Sequence, residues 1–225
     1  IIGGGTSYKS FTGQKVDGDL SGKIAYPPPS SFYITANLKD IGMDTFDGLT
    51  VGFGVTSPFG LIIRYPENSP FATEATSAAL PLIDLKPTLA YKFNEMFSFG
   101  FGVDIYTFFD FLGEGGLEQH RNAGADFGAL GIALNTPLEF NGTDTAVGIN
   151  LSLLFTPLRN SESKPVLNFG LVHRSQVTLD IKGEFISNGV LFADIVSSKM
   201  NLPEIWSAGL AYWPVRDPQH EWKVE

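Results

Sequence analysis

Residues 166–184 read VLNFGLVHRSQVTLDIKGE. Leu167, Phe169, Leu171, Val177, Leu179 and Ile181 fall on one side of a two-residue repeat. Asn168, Arg174, Gln176, Thr178, Asp180, Lys182 and Glu184 fall on the other, and His173 is the one polar residue interrupting the apolar side. A period of two rather than 3.6 marks a β-strand. About 18 such residues would extend roughly 60 Å at ~3.3 Å per residue, far beyond the usual ~5–6-residue globular strand. The spacing predicts one long strand that crosses a membrane at a tilt and continues outside it.

The same arithmetic recurs. Residues 96–111 set Phe97, Phe99, Phe101, Val103, Ile105, Phe109 and Phe111 against Ser98, Gly100, Gly102, Asp104 and Asp110. Residues 82–93 set Ile83, Leu85, Leu89, Tyr91 and Phe93 against Asp84, Lys86, Thr88 and Lys92. Residues 145–158 set Val147, Ile149, Leu151, Leu153 and Phe155 against Gly148, Asn150, Ser152 and Thr156. Shorter candidates cover 32–38, 49–65 (interrupted) and 202–213. A soluble sandwich also alternates. Here the apolar faces are long and almost all large, while the opposite faces mix small, polar and charged groups as a barrel lumen does.

Composition agrees. The 225 residues carry 15 Lys+Arg and 24 Asp+Glu, a formal charge of −9, which argues against a non-specific nucleic-acid binder. Charged residues make up 17% of the chain, below the roughly 25% of soluble domains. With Cys 0, disulfides and thiolate metal sites are excluded. His120, His173 and His220 are too scattered for a His-rich metal site. No apolar run reaches the ~18 residues of a membrane helix, and no secretion signal is visible at Ile1. Asn94, Glu95 and Met96 predict a three-residue hairpin loop, and residues 159–165 a short polar link. Residues 112–137 and 186–199 read as long loops, giving short turns at one rim and long ones at the other.

Four stretches resemble the FadL/TodX family of bacterial outer-membrane transporters for long-chain fatty acids and aromatic hydrocarbons. They are VGFGVTSPFGLIIRY at 51–65, LKPTLAYKFNEMFSFGFGVDIY at 85–106, and GLVHRSQVTLDIKGEF at 170–185, which has His173 where the family usually has Tyr. The fourth is NLPEIW at 201–206, followed by Asp217, Pro218, Gln219 and Trp222. Their order and approximate spacing match the family. The resemblance implies an all-β fold, an antiparallel transmembrane β-barrel of fourteen strands with an N-terminal hatch. Residues 1–225 would then be a single partial barrel of about eight strands, with the hatch and the C-terminal strands missing. It also implies a monomer in contact with outer-membrane lipid and lipopolysaccharide, no cofactor, and passive uptake of a hydrophobic small molecule.

Candidate sites follow. Thr56, Ser57, Pro58, Phe59 and Gly60 interrupt an apolar alternating stretch, and proline cannot donate to a ladder while glycine marks a bend. A break there would open the barrel wall, and in the family the matching strand carries an inward kink that forms a lateral exit. Tyr33, Leu82, Tyr106, Phe108 and Leu154 are apolar groups on an otherwise polar inner face, able to hold a hydrophobic ligand or to pack against a hatch. Leu112, Leu117, Phe127, Leu130 and Ile132 would form an outer greasy groove. Arg64, Lys86, Lys92, Arg174 and Lys182 are expected inward, paired with Asp84, Asp104, Asp180 or Glu184, or one of them with a substrate carboxylate.

Two other readings stand beside the channel: a small structural barrel complete as it is, and an outer-membrane lipid hydrolase. The chain has no Gly-x-Ser-x-Gly elbow, and Gly3, Gly4 and Gly5 lack the following Lys-Ser/Thr of a phosphate loop. His173 is expected at an interface girdle rather than in catalysis.

Overall fold

The computed structural model describes residues 31–59, 61–108, 115–217 and 220–225, together with 2–3 and 23–25. In chain order the strands are β1 (Ile2–Gly3), β2 (Lys23–Ala25), β3 (Phe32–Asn37), β4 (Leu49–Thr56), β5 (Leu61–Arg64), β6 (Ser77–Leu80), β7 (Ile83–Lys92) and β8 (Phe97–Thr107). They continue with β9 (Leu117–Asn122), β10 (Pro137–Thr143), β11 (Ala146–Arg159), β12 (Pro165–Arg174), β13 (Val177–Ser187), β14 (Val190–Leu202), β15 (Ile205–Arg216) and β16 (Glu221–Val224). Helix among these residues is limited to short 3-10 turns at Asp44–Phe46 and Ala125–Leu130.

The strands form two eight-stranded antiparallel sheets. A wall sheet runs β16-β15-β12-β11-β8-β7-β4-β3, and a cap sheet runs β1-β2-β5-β6-β9-β10-β13-β14. Neither closes on itself among the described residues. The two orders correspond: β4 leads into β5, β6 into β7, β8 into β9, β10 into β11, β12 into β13 and β14 into β15. Each long path therefore crosses from one sheet to the other at one common level, a waist.

The wall sheet suits a bilayer. β8 has 11 residues, β7 and β12 have 10 each and β11 has 14, against the ~9–11 tilted residues that a membrane strand needs. Phe53, Leu89, Tyr91, Phe99, Phe101, Ile149, Leu151, Phe169, Leu171 and Leu210 are exposed on one face. Cross-strand pairing joins them, as in the rows Leu89, Phe101, Leu151, His173, Trp206 and Tyr91, Phe99, Leu153, Leu171. Such a band of exposed large apolar groups is stable in lipid and costly in water. The opposite face is small and polar. Thr88, Gly102 and Asn150 share one row, and a Cβ on Gly102 would sit 2.6 Å from Asn150 Oδ1 and 2.7 Å from Thr88 Cγ2, so any larger residue there would force those side chains aside.

The structure corrects the reading of residues 166–184. They form two strands in two sheets, parted at Ser175 and Gln176. Phe169 and Leu171 are exposed on the lipid side, whereas Val177, Leu179 and Ile181 are buried in the interior. The alternation keeps its numerical phase while the face it marks reverses. Residues 186–199 are not a loop either. β13 and β14 meet through Asn188 and Gly189, with φ of 51° and 74°, the left-handed pair of a tight two-residue hairpin. Residues 112–137 hold β9 and a 3-10 turn, so His120 lies in a strand. β8 ends at Thr107, and Phe109, Phe111, Leu112 and Gly60 lie outside the described residues.

Candidate functional site

The waist holds the main buried cluster: Leu82, Tyr106, Phe108, Val177, Leu179, Ile181 and Leu202, with Phe59, Leu80, Leu117, Phe140, Ala146 and Met200 packed against it. Its members come from the crossings themselves. Phe59 lies between β4 and β5, Leu82 between β6 and β7, and Phe108 just after β8. Ala146 opens β11, Val177 opens β13 and Leu202 closes β14. Burying these groups is worth about 25 cal/mol per Å² of apolar surface, so the cluster ties the paths together where backbone pairing lapses.

A charged layer lies beneath it on the wall side. Asp84 is 0% exposed and Asp104 1%. Lys86 Nζ is 2.8 Å from Asp84 Oδ2, and Arg174 Nη1 is 3.9 Å from the same oxygen. Neither Asp84 oxygen receives a well-directed hydrogen bond, so the pairing is electrostatic. Asn150 Nδ2 donates to Asp104 Oδ1 at 2.8 Å.

The interruption at residues 56–60 is longer than most crossings, though shorter than the one between β8, ending at Thr107, and β9, starting at Leu117. Four residues separate β4 from β5, where the crossings at 81–82, 144–145, 175–176 and 203–204 take two. Ser57 Oγ donates to the Leu82 carbonyl at 2.9 Å, while the buried Thr56 hydroxyl has no partner among the described residues. Phe59 reaches the cluster with its ring 6.0 Å from that of Tyr106.

A second, smaller cluster lies among the connections of the cap sheet: Ala123, Ile132 and Leu138, with Phe127 and Phe185. Phe127 stacks on Phe185 at 6.0 Å, and Phe185 meets Phe192 edge-on at 5.7 Å. Where β12 and β15 approach the waist, His173 and Trp206 lie 4.4 Å apart and both bond Glu204, His173 at 2.9 Å and Trp206 Nε1 at 2.8 Å. A polar-tipped aromatic pair at the edge of an apolar band is what a membrane–water girdle requires.

Comparison with known proteins places this architecture. The sequence model of the family described as "Outer membrane protein transport protein (OMPP1/FadL/TodX)" matches residues 39–223. The chain belongs to this family. Membership in the FadL/TodX family also places it in the bacterial outer membrane. The chain is 24% identical over 228 residues to a long-chain fatty acid transport protein of Escherichia coli O6:H1, covering 89% of this chain and 48% of the relative. It is 27% identical over 167 residues to one of Salmonella typhi, covering 68% and 34%. The chain thus spans about half, or less, of the length of the curated relatives it matches. A crystal structure of a Pseudomonas aeruginosa FadL homologue superposes with a TM-score of 0.61 at 15% identity, over 96% of this chain and 54% of that one, which supports the fold.

The apolar residues expected on the inner face divide. Leu82, Tyr106 and Phe108 come together, but in a packed cluster rather than along an open lumen. Tyr33 faces inward beside Gly54 on the edge strand β3 and is exposed. Leu154 pairs with Ser98 and Gly170 and is also exposed, eight residues along β8 from Tyr106, or about 26 Å at ~3.3 Å per residue. Phe127, Ile132 and Leu138 cluster in the cap; Leu130 is exposed nearby, and Leu117 joins the waist instead.

Of the cations, Lys86 and Arg174 face Asp84 as expected. Lys92 instead pairs with Glu95 in the hairpin turn, and Lys182 is exposed on the cap sheet. The alternation had set Val177, Leu179 and Ile181 on the lipid side, and the structure puts them in the waist. Phe140 and Phe185, which join the two clusters, are not singled out by the sequence alternation. The signal that could have found them is Asn188-Gly189, which fixes the β13–β14 hairpin and hence β10 beside it.

Proposed function

We propose that this chain forms part of the wall of a passive channel. It takes up a hydrophobic molecule, a long-chain fatty acid or an aromatic hydrocarbon, and releases it sideways into the membrane at residues 56–60. The observation that supports this most is Phe59. It belongs to the interruption in the wall and also packs on the waist cluster beside Tyr106. A ligand taking the place of the Phe59 ring among these apolar groups would sit at the interruption itself. Physical chemistry favours the sideways route. An apolar solute gains about 25 cal/mol per Å² of surface kept from water, so lipid is a better destination than an aqueous space. Capture would occur at the cap cluster, with the waist as the inner station.

The test is the double substitution Pro58→Thr/Gly60→Val in the full-length protein. It restores a ladder donor and β-propensity. The expected result is a barrel at least as heat-resistant, by heat-modifiable gel mobility, with reduced uptake of labelled oleate and toluene. Unchanged uptake by a correctly folded barrel would overturn the lateral exit. Comparing oleate with toluene in the unsubstituted protein decides the substrate class.

A further inference from the structure

We propose that the outer face of the wall sheet holds a specific site for one membrane phospholipid, with an acyl chain in a groove across the strands and a primary-ammonium head at Glu204. The groove is a cavity of about 520 Å³ on the exposed apolar face. It lies between two rows of that face, one running from Leu89 to Trp206 and the other from Tyr91 to Leu171. The row between them turns its side chains to the opposite face, so that Gly100 and Ser152 supply a floor of backbone. Rows two residues apart stand about 7 Å from each other at ~3.3 Å per residue, room for one hydrocarbon chain. The next apolar row toward the β7–β8 turn is filled instead: Phe97 stacks on Phe155 at 4.8 Å, and Phe155 on Phe169 at 6.2 Å. The groove is continuous with the exposed apolar band, so lipid is what covers it.

The groove runs obliquely to the waist. Leu89 lies six residues from Ile83, the waist end of β7, and Phe101 six from Thr107, the waist end of β8. His173 and Trp206 each lie one residue from the waist ends of β12 and β15. That difference is roughly 16 Å along the strands, or about 11 Å of depth at a ~45° tilt, within the ~15 Å half of a hydrocarbon core. A chain in the groove therefore enters at the His173–Trp206 girdle and ends inside one leaflet. No Lys, Arg, Asp or Glu lines the groove, and the charge stands at its mouth. There Glu204 Oε1 takes the Trp206 Nε1 bond and the His173 contact, which leaves Oε2 without a partner among the described residues. An ammonium head gives this carboxylate a charge-assisted donor, whereas an anionic head meets like charge. The site therefore selects an ethanolamine phospholipid over an anionic one.

The experiment reconstitutes the full-length protein with phosphatidylethanolamine or phosphatidylglycerol carrying the same diazirine-bearing acyl chain. After illumination, mass spectrometry compares crosslinks at residues 151–153, in the groove, with those at Phe53, which shares the apolar face outside it. The groove-to-Phe53 ratio should be roughly threefold higher for phosphatidylethanolamine in the unsubstituted protein, the scale of a half-exposed ion pair. Glu204→Gln should bring it down to the phosphatidylglycerol value. Leu171→Trp fills the groove and should lower the ratio for both lipids while Phe53 labelling is kept. Equal ratios for the two lipids in the unsubstituted protein, or a higher one for phosphatidylglycerol, overturn the proposal, as does a ratio that either folded variant leaves unchanged. Loss of the groove crosslinks on adding excess lipopolysaccharide would make the occupant that glycolipid and also overturn it. If Leu171→Trp does not give a heat-modifiable barrel, Glu204→Gln, at an exposed crossing, decides alone.

Discussion

Phe140 and Phe185 face each other across the β10–β13 ladder, and this pair joins the two apolar clusters of the chain. Phe140 packs on the waist, Phe185 on the cap cluster. The register shift after Gly183 in the β13–β14 ladder falls beside Phe185, at a bulge that re-aims the strand.

Phe185→Ala should uncouple cap from waist. Truncating a partly buried Phe should cost about 2–3 kcal/mol, near the low end for buried aromatics. The expected outcome is faster amide exchange in residues 123–138, with the wall strands β8 and β11 protected as before. Uniform loss of protection throughout would show that the two tiers unfold as one.

Glycine positions offer a paired test. A Cβ on Gly183 would lie 1.8 Å from the Asn141 carbonyl oxygen, a backbone atom that cannot swing aside. Gly170 has nothing within 4 Å of the same point. Gly183→Ala should destabilise the barrel by about 3 kcal/mol, and Gly170→Ala should change it little. Heat-modifiable gel mobility against temperature compares them, and equal midpoints would contradict the close approach of β10 and β13.

The Asp84–Lys86 pair should obey the asymmetry of buried charge. Lys86→Met leaves Asp84 with only the longer Arg174 contact and should cost about 3 kcal/mol. Asp84→Leu/Lys86→Met removes both charges and should recover most of that loss. Urea midpoints of the four forms make a double-mutant cycle, and a double substitution no better than Lys86→Met alone would mean the pair is not the buried unit described.

In the β7–β8 turn, Glu95 is held below its ordinary value of 4.5, first by the hydrogen bond from Lys92 and also by the charges of Lys92 and Arg159. Arg159 also donates to the Glu95 carbonyl and stands 3.2 Å from its carboxylate. A depressed carboxyl stabilises the fold above its unfolded value, and the contribution is lost as pH falls through the lower, folded value. Amide exchange at residues 93–97 should therefore quicken as pH drops below about 4 relative to a reference turn, and Glu95→Gln should abolish that dependence.

How much of this was legible beforehand depends on what alternation can carry. The strand at 82–93 was read to within a residue of β7, and 145–158 to within a residue of β11, because each has one apolar face from end to end. Residues 166–184 misled for the opposite reason. A period of two says that one face is apolar, not whether lipid or protein covers it. A crossing that reverses the sense leaves the pattern untouched. The polar run His173, Arg174, Ser175, Gln176 was the local sign of the break. Leu82, Tyr106 and Phe108, members of the buried cluster, stand out in the sequence because they are apolar in a polar phase. Val177 and Leu179 were missed because they are apolar in an apolar one.

The common level at which the paths change sheets also bears on how chain length can vary. In an uninterrupted strand, adding or deleting one residue turns every later side chain to the opposite face. Here such an error in β12 runs only as far as the crossing, where Ser175 is still held to Ile149 but Gln176 lies outside both ladders and can take up the difference. The waist therefore works as a row of expansion joints. Single-residue insertions just before a crossing should be tolerated more often than the same insertions mid-strand, and the wall and cap sheets are free to change length independently.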